Sequence, residues 1–247
     1  MTYVKHALLL AASLCLAALL SSCGGAPVKP VDDVAEENIK LIPTLDFIPV
    51  LQADKDGVVQ LYEAMPNPYI KRGKVRKASV ASYIEARRAF KAEDYEKAEK
   101  ILAILVEEDD SISGPWVMRG DIALNRSDVA QAKEYFTRAL EINSDNINAW
   151  LKLAYAQRLE GKFLLAQNTY AQVLALWKDC PEAHLNLAIL YDIYLNLPLR
   201  AQKHMEAYLF LTENKNETVA NWLQELQNRT GAASALPLDK PMLKPLS

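Results

Sequence analysis

The fold is decided by residues 147–180, which read INAWLKLAYAQRLEGKFLLAQNTYAQVLALWKDC. Apolar and small residues recur in this stretch at spacings of three and four, which places them on one face of each of two helices. Gly161 lies midway, and glycine is the residue type that most readily lets the chain turn between two helices. The stretch therefore predicts a pair of helices that bury a shared apolar face.

The same pattern recurs along the chain with a period of about 34 residues. Three positions of the pattern hold, in turn, a small residue, an alanine and a larger apolar residue: Ala86, Gly120, Ala154 and Ala188; Ala98, Ala132, Ala166 and Ala201; Leu102, Phe136, Tyr170 and Met205. One helix pair cannot bury its own apolar face, whereas about three or more stacked pairs can. The period predicts an all-α solenoid of about four helix pairs over residues 79–215, with a capping helix over 217–229.

These residue types at this period resemble the tetratricopeptide repeat, and the likeness covers more than half of the chain. The strongest copy, residues 147–180, has Trp150, Leu153 and Tyr170 on the family pattern. The resemblance implies a helical-hairpin solenoid over residues 79–230, including its capping helix. It also implies a groove, lined by the first helix of each pair, that binds a segment of another protein.

The register of the repeats selects the side chains that are expected to face this groove. The partner-binding candidates are Tyr83, Arg87, Asp121, Tyr155, Arg158, Ile189 and Asp192. One subclass of the family uses a lysine and asparagine clamp for C-terminal carboxylates, and those residues are missing at the matching positions here. That particular ligand is therefore disfavoured.

Local signals predict where the helices begin and where the pattern is interrupted. Asp94 and Ser127 precede the second helices of the first two copies and are expected to cap them. The fourth copy contains one extra residue, which is expected in the turn before Pro198.

Residues 1–22 are predicted to be a signal peptide, because a short charged start is followed by an apolar run over residues 7–20. The sequence then reads Leu20-Ser21-Ser22-Cys23-Gly24, which resembles a bacterial lipoprotein box. The resemblance implies that Cys23 is acylated and that residues 23–30 form a tether to the membrane. Gly24 resembles the sorting pattern for the outer membrane, so a periplasm-facing outer-membrane lipoprotein is expected. An inner-membrane anchor and a plain signal peptide with an incidental cysteine remain open.

Residues 31–78 are expected to be irregular, since Pro43, Pro49 and Gly57 interrupt any long helix. Two placements are open for residues 31–70: packing along the initial helices of the solenoid, or filling its groove. The run 71–77 carries five positive charges and is either a solvated connector or a contact for anionic envelope polymers. Residues 231–247 are expected to be a flexible tail.

The composition disfavours several classes of function. A net charge of −3 gives no electrostatic footprint for nucleic acid. The sequence has no metal-spaced cluster, phosphate loop or nucleophile motif, so no catalytic residue, metal, cofactor or small-molecule substrate is expected. His184 occupies the aromatic packing position of the fourth copy. His204 is expected to be a polar or half-buried helix residue, and Cys180 a small buried or half-buried one.

Together these features predict a membrane-anchored scaffold that acts as an adaptor in a cell-envelope complex. The complex is expected to be a pilus or secretion machine, or an energy-transducing system of the TonB-like or gliding kind. The alternative is a structural lipoprotein that binds peptidoglycan or another envelope polymer.

Overall fold

The computed structural model describes residues 39–70, 75–239 and 242–244. Within these ranges nine α-helices form four antiparallel pairs and one further helix. In chain order they are α1 Lys77–Lys91, α2 Tyr95–Glu108, α3 Gly114–Asn125, α4 Val129–Ile142, α5 Ile147–Leu159, α6 Phe163–Leu176, α7 Pro181–Ile189, α8 Pro198–Leu211 and α9 Glu217–Thr230. The predicted all-α solenoid of four helix pairs with a capping helix is confirmed.

The predictions for residues 1–30, including acylation of Cys23, fall outside the described part of the chain. Among the residues that are described, no helix is both long enough and apolar enough to cross a bilayer.

The first helix of each pair lies on the inside of the stack. The helices α1 and α3 contact each other directly, as do α3 and α5, whereas the second helices of successive pairs contact each other less. Helices on the inner side of a curved stack lie closer together than those on the outer side. The first helices therefore line the concave groove, and the second helices form the convex face.

Each helix pair turns through a left-handed residue at the same repeat position. These residues are Glu93 (φ 60°), Ser127 (φ 61°), Gly161 (φ 78°) and Asn196 (φ 50°). In the first two pairs the side chain of the next residue caps the second helix: Asp94 accepts the Lys97 N–H at 3.1 Å, and Asp128 accepts the Gln131 N–H at 3.0 Å. The prediction for Asp94 is confirmed. The prediction for Ser127 is wrong by one residue, because Ser127 takes the left-handed position and Asp128 is the cap.

The extra residue of the fourth pair is absorbed by a wider helical turn. Beyond α7 the chain continues as a π-helical turn, Leu190–Tyr194, in which the N–H of Leu195 donates to the Leu190 carbonyl at 3.0 Å. Three residues then lead to Pro198, the same number that separates the helices of the other three pairs. The extra residue is therefore not in the turn before Pro198, as the sequence suggested, but in the helix itself.

The segment before the solenoid packs on the convex face of its far end. The Ile42 N–H donates to Asn168 Oδ1 at 2.8 Å, and Gln167 Nε2 donates to the Ile42 carbonyl at 3.1 Å, both from α6. Further along, Asp179 accepts from the Tyr62 hydroxyl and from the Met65 N–H, each at 2.7 Å. Residues 42–65 therefore neither follow the initial helices nor fill the groove, which corrects both sequence-based placements for this part of the segment.

The described part of the C-terminal tail is also packed rather than flexible. The Tyr62 N–H donates to the Met242 carbonyl at 2.7 Å, and the Lys244 N–H donates to the Tyr62 carbonyl at 2.9 Å. Leu236 and Met242 are buried in a cluster with Phe210 of α8. The prediction of a flexible tail over 231–247 is wrong for residues 231–239 and 242–244, because their apolar side chains find partners in α8 and the N-terminal segment.

Candidate protein-binding groove

The concave groove contains a cavity of about 470 Å³ where the first three of its helices begin. Val80 and Tyr83 of α1, Val117 of α3 and Asn148 of α5 line this cavity, and Tyr69 lies at its edge. It combines apolar walls with a few polar groups, which is the usual character of a recognition site. The structure thus places the predicted groove residue Tyr83 in a pocket.

The next predicted residues lie further along the same face. Arg87 of α1 is exposed. The Asp121 carboxylate on α3 lies 2.8 Å from the Lys152 ammonium on α5. Lys152 was not among the predicted groove residues. It is on a first helix, but none of the predicted residues occupies the same position of the repeat.

Two predicted residues, Tyr155 and Arg158 of α5, come together at the third repeat. The Arg158 guanidinium carbon lies 5.1 Å from the centre of the Tyr155 ring and 5.6 Å from that of Tyr194. Tyr194 also packs on Phe163, with ring centres 4.7 Å apart. Sequence reasoning missed Tyr194, because only the π-helical turn brings it to this position.

The last two predicted residues do not form a free binding surface. Ile189 is half-buried in α7. Asp192 accepts from Trp222 Nε1 at 2.9 Å and from Arg229 Nη2 at 2.6 Å, and its side chain is only 8% exposed. Asp192 is therefore corrected from a partner-binding candidate to a residue that binds the capping helix α9 to the π-helical turn after α7.

The structure describes only residues 75–77 of the basic run 71–77, and Arg76 of this run forms an ion pair within the chain. Arg76 Nε donates to the Asp109 carboxylate at 3.1 Å, and the same carboxylate accepts from Ser79 at 2.5 Å and from Ser111 at 2.6 Å. The hydrogen bonds from Ser111 and Ser79, followed by that from Arg76, lower the pKa of Asp109 to about 2. Arg76 therefore joins the start of α1 to the end of α2, and this weakens the polymer-binding interpretation of the run.

The structure also reveals a buried polar chain that no sequence motif indicates. His184 and His204 are both fully buried and their Nδ1 atoms lie 3.0 Å apart. His184 is thus a core residue as predicted, whereas the half-buried position expected for His204 is wrong. Cys180 is buried as predicted, and burial raises the pKa of its thiol to about 12, which leaves it unreactive at neutral pH.

The described residues contain no group of three or more histidine, cysteine, aspartate or glutamate side chains placed to hold a metal ion. The fold is that of a helical-repeat protein whose first helices line a concave surface.

Comparison with known proteins identifies the repeat. Residues 83–147 and 117–166 match the family model described as tetratricopeptide repeat, so the helix pairs in this part of the chain are tetratricopeptide repeats. No curated protein matches the sequence.

Two solved structures show the same fold at low sequence identity. MamA residues 41 to the end, from Desulfovibrio magneticus RS-1, is 16% identical with a TM-score of 0.53, over 64% of this chain and 88% of that one. The Cut9–Hcn1 hetero-tetramer of the APC/C is 17% identical with a TM-score of 0.53, over 60% of this chain and 30% of that one.

Proposed function

We propose that this protein is a scaffold whose concave groove binds a segment of another protein, and that its role is not enzymatic. The observation that carries the proposal is the placement of the N-terminal segment. Residues 42–65 are held on the convex face and the loop before α7, so they leave the groove surface of α1, α3 and α5 open. A groove of stacked helices that its own preceding segment does not occupy is suited to an extended or helical partner segment.

The setting that we propose for this scaffold is the bacterial cell envelope, at the periplasmic side of the outer membrane, with the inner membrane as the alternative. The support is the lipoprotein box ending at Cys23 and the tether that follows it. Several acyl chains would hold the protein at the membrane, since each buried CH₂ contributes about 0.8 kcal/mol. The high local concentration would strengthen modest contacts with a pilus, secretion or energy-transducing complex.

Crosslinked affinity purification of the intact protein tests the groove. A triple variant, Asp121→Ala with Tyr155→Ala and Arg158→Ala, is expected to lose an envelope protein that the wild type recovers. The matched control changes three exposed residues of the convex helices α2 and α4 to alanine: Glu96, Lys100 and Arg138. Recovery of the same proteins by all three forms would contradict the groove proposal.

Cys23→Ser tests the anchor separately. Labelling with palmitate and sedimentation with the membrane fraction are both expected for the wild type and are expected to be lost in the variant, because serine cannot take up the thioether-linked lipid. A variant that still sediments with membranes and still carries palmitate would contradict acylation at Cys23.

A further inference from the structure

The π-helical turn Leu190–Tyr194 creates a surface that the other three helix pairs lack. It carries Ile193 and Tyr194 outward, so that their side chains are 60% and 43% exposed. Tyr194 reaches Arg158 at the end of α5, and the neighbouring Leu159 is 51% exposed. Arg158 and Tyr194 are thus in contact, and the exposed residues Leu159 and Ile193 are their neighbours in the sequence. We call Arg158, Leu159, Ile193 and Tyr194 the α5–α7 patch.

The guanidinium of this patch has no counter-ion within the described ranges of the chain. Arg158 lies against the rings of Tyr155 and Tyr194, and its buried Nε atom has no hydrogen-bond partner among the described residues. No carboxylate of the described residues pairs with this guanidinium, so its charge is available to an acidic group that a partner brings to its exposed side.

Arg119 of α3 is a second arginine whose guanidinium packs against two aromatic rings, and it can be compared with Arg158. Arg119 lies 4.8 Å from the centre of the Trp116 ring and 4.4 Å from that of Tyr135. It is also bound to the Glu99 carboxylate at 2.8 Å and to the Tyr135 hydroxyl at 3.0 Å. Two arginines thus share an aromatic setting, but only Arg119 has an internal carboxylate.

Resting on the proposed scaffold function, we propose that the α5–α7 patch binds an acidic side chain of the partner, an aspartate or glutamate flanked by aliphatic residues. The carboxylate pairs with the Arg158 guanidinium, and the aliphatic neighbours contact Leu159 and Ile193. A charge-assisted bond between guanidinium and carboxylate is among the strongest that proteins use for recognition. The exposed aliphatic rim favours a peptide over a nucleic acid, as does the net charge of −3.

A display library of random twelve-residue peptides, selected on the full chain, tests the proposal. Recovered peptides are expected to be enriched in Asp or Glu next to Leu, Ile or Val. For a synthetic peptide of the recovered sequence, Arg158→Gln is expected to weaken binding about tenfold or more. Replacing the peptide's own carboxylate by the amide should cause a similar loss, and combining both changes should add little.

The matched control is Arg126→Gln, which removes the same charge from an exposed position in the turn of the second helix pair; it is expected to leave the peptide's Kd unchanged. Arg158→Lys keeps the charge without the planar group and should bind with intermediate affinity. Circular-dichroism melting of each variant checks that it is folded.

Peptides without acidic enrichment, or a Kd that Arg158→Gln does not alter, would overturn the proposal. That result is distinguishable from failure of the scaffold function. A cellular partner that is lost when Tyr83→Ala alters the cavity, but kept by Arg158→Gln, would leave the scaffold standing and remove only the α5–α7 patch.

Discussion

Acidification from pH 7 to pH 4 is expected to lower the free energy of unfolding by about 3 kcal/mol or more, through the buried pair His184 and His204. Burial lowers the pKa of His184 from 6.5 to about 4 and that of His204 well below 6.5. Because each tenfold change in proton affinity corresponds to about 1.4 kcal/mol, His184 alone accounts for about 3 kcal/mol. His204 adds to the loss in the same direction.

The hydrogen-bond geometry indicates which ring nitrogens carry protons when both imidazoles are neutral. The Lys178 carbonyl can only accept, so His184 donates to it from Nε2 at 2.9 Å and presents an unprotonated Nδ1 to His204. His204 donates from Nδ1 at 3.0 Å, and its Nε2 accepts from the Thr44 hydroxyl at 2.9 Å. Thr44 in turn accepts from the Tyr191 hydroxyl at 2.7 Å.

A proton added to either ring places a positive charge in a fully buried site whose hydrogen-bond partners outside the pair, the Lys178 carbonyl and the Thr44 hydroxyl, are neutral. Protonation of His184 Nδ1 also requires His204 to move its proton to Nε2 and the Thr44 hydroxyl to turn and donate to Tyr191. The nearby charge of Arg200 further lowers the pKa of His204, while Asp179 partly offsets the burial of His184. Since Thr44 belongs to the N-terminal segment, acid is expected to release that segment as well as to destabilise the core.

The direction of the pH effect follows from the number of protons that the folded and unfolded chains bind. Between pH 6.5 and pH 4 the unfolded chain binds protons on both histidines that the folded chain does not bind. The free energy of unfolding therefore rises with pH across this window and is largest above pH 6.5. Asp109 behaves differently: its contribution is lost only below about pH 4, as the carboxylate is protonated towards its folded pKa of about 2.

Urea unfolding at several pH values between 4 and 7, followed by circular dichroism, measures the effect. The double variant His184→Phe with His204→Leu is the control, because it removes both titrating groups; the sequence contains three histidines, and the third, His6, lies in the predicted signal peptide. Its absolute stability will differ, but its pH dependence between 5 and 7 should nearly vanish. An unchanged slope in the double variant would contradict the assignment.

Much of the solenoid could be predicted from sequence because the residue pattern that defines each helix pair is local and is repeated along the chain. The buried positions Ala86, Ala98 and Leu102 recur every 34 residues, and each copy supports the register of the others. The contacts of Thr44 carry no such signal. Its partners Tyr191 and His204 lie 147 and 160 residues away, and nothing in the local pattern around Thr44 indicates them.

The repeat register predicted which helices carry the groove candidates, but not which of their side chains are free of contacts within the chain. Register alone placed Tyr83, Tyr155 and Arg158 on first helices, which the structure bears out. It could not show that Asp192 binds the capping helix, since that depends on how Trp222 and Arg229 fold back. Nor could it place Tyr194, because one inserted residue is compatible with either a longer turn or a π-helical turn.

Gly120→Ala is expected to destabilise the protein by about 1–3 kcal/mol or more, although alanine normally favours a helix over glycine by about 1 kcal/mol. A Cβ atom at Gly120 of α3 would lie 2.3 Å from Cε1 of Phe136 and 2.7 Å from two further ring atoms. Phe136 is fully buried, so its ring has no room to withdraw. Urea unfolding at pH 7 measures the difference in free energy.

Gly114→Ala is the matched control in the same helix. A Cβ atom there would be 3.7 Å from the nearest atom, on the Tyr83 ring, which is ordinary van der Waals contact. Equal stability of the two alanine variants would show that the core around Phe136 relaxes freely.

The other repeats supply the compensating change. Their small position is alanine, and the larger residue is Leu102 or Tyr170 sixteen positions later, or Met205 seventeen positions later in the fourth pair with its extra residue. Adding Phe136→Leu to Gly120→Ala reproduces the combination of the first repeat, Ala86 with Leu102, and is expected to recover part of the lost stability. Phe136→Leu alone should destabilise the protein by leaving a cavity beside the glycine. Opposite signs of the same substitution in the two backgrounds would show that residues 120 and 136 are chosen as a pair, because the volume between α3 and α4 is fixed by the stacking of the repeats.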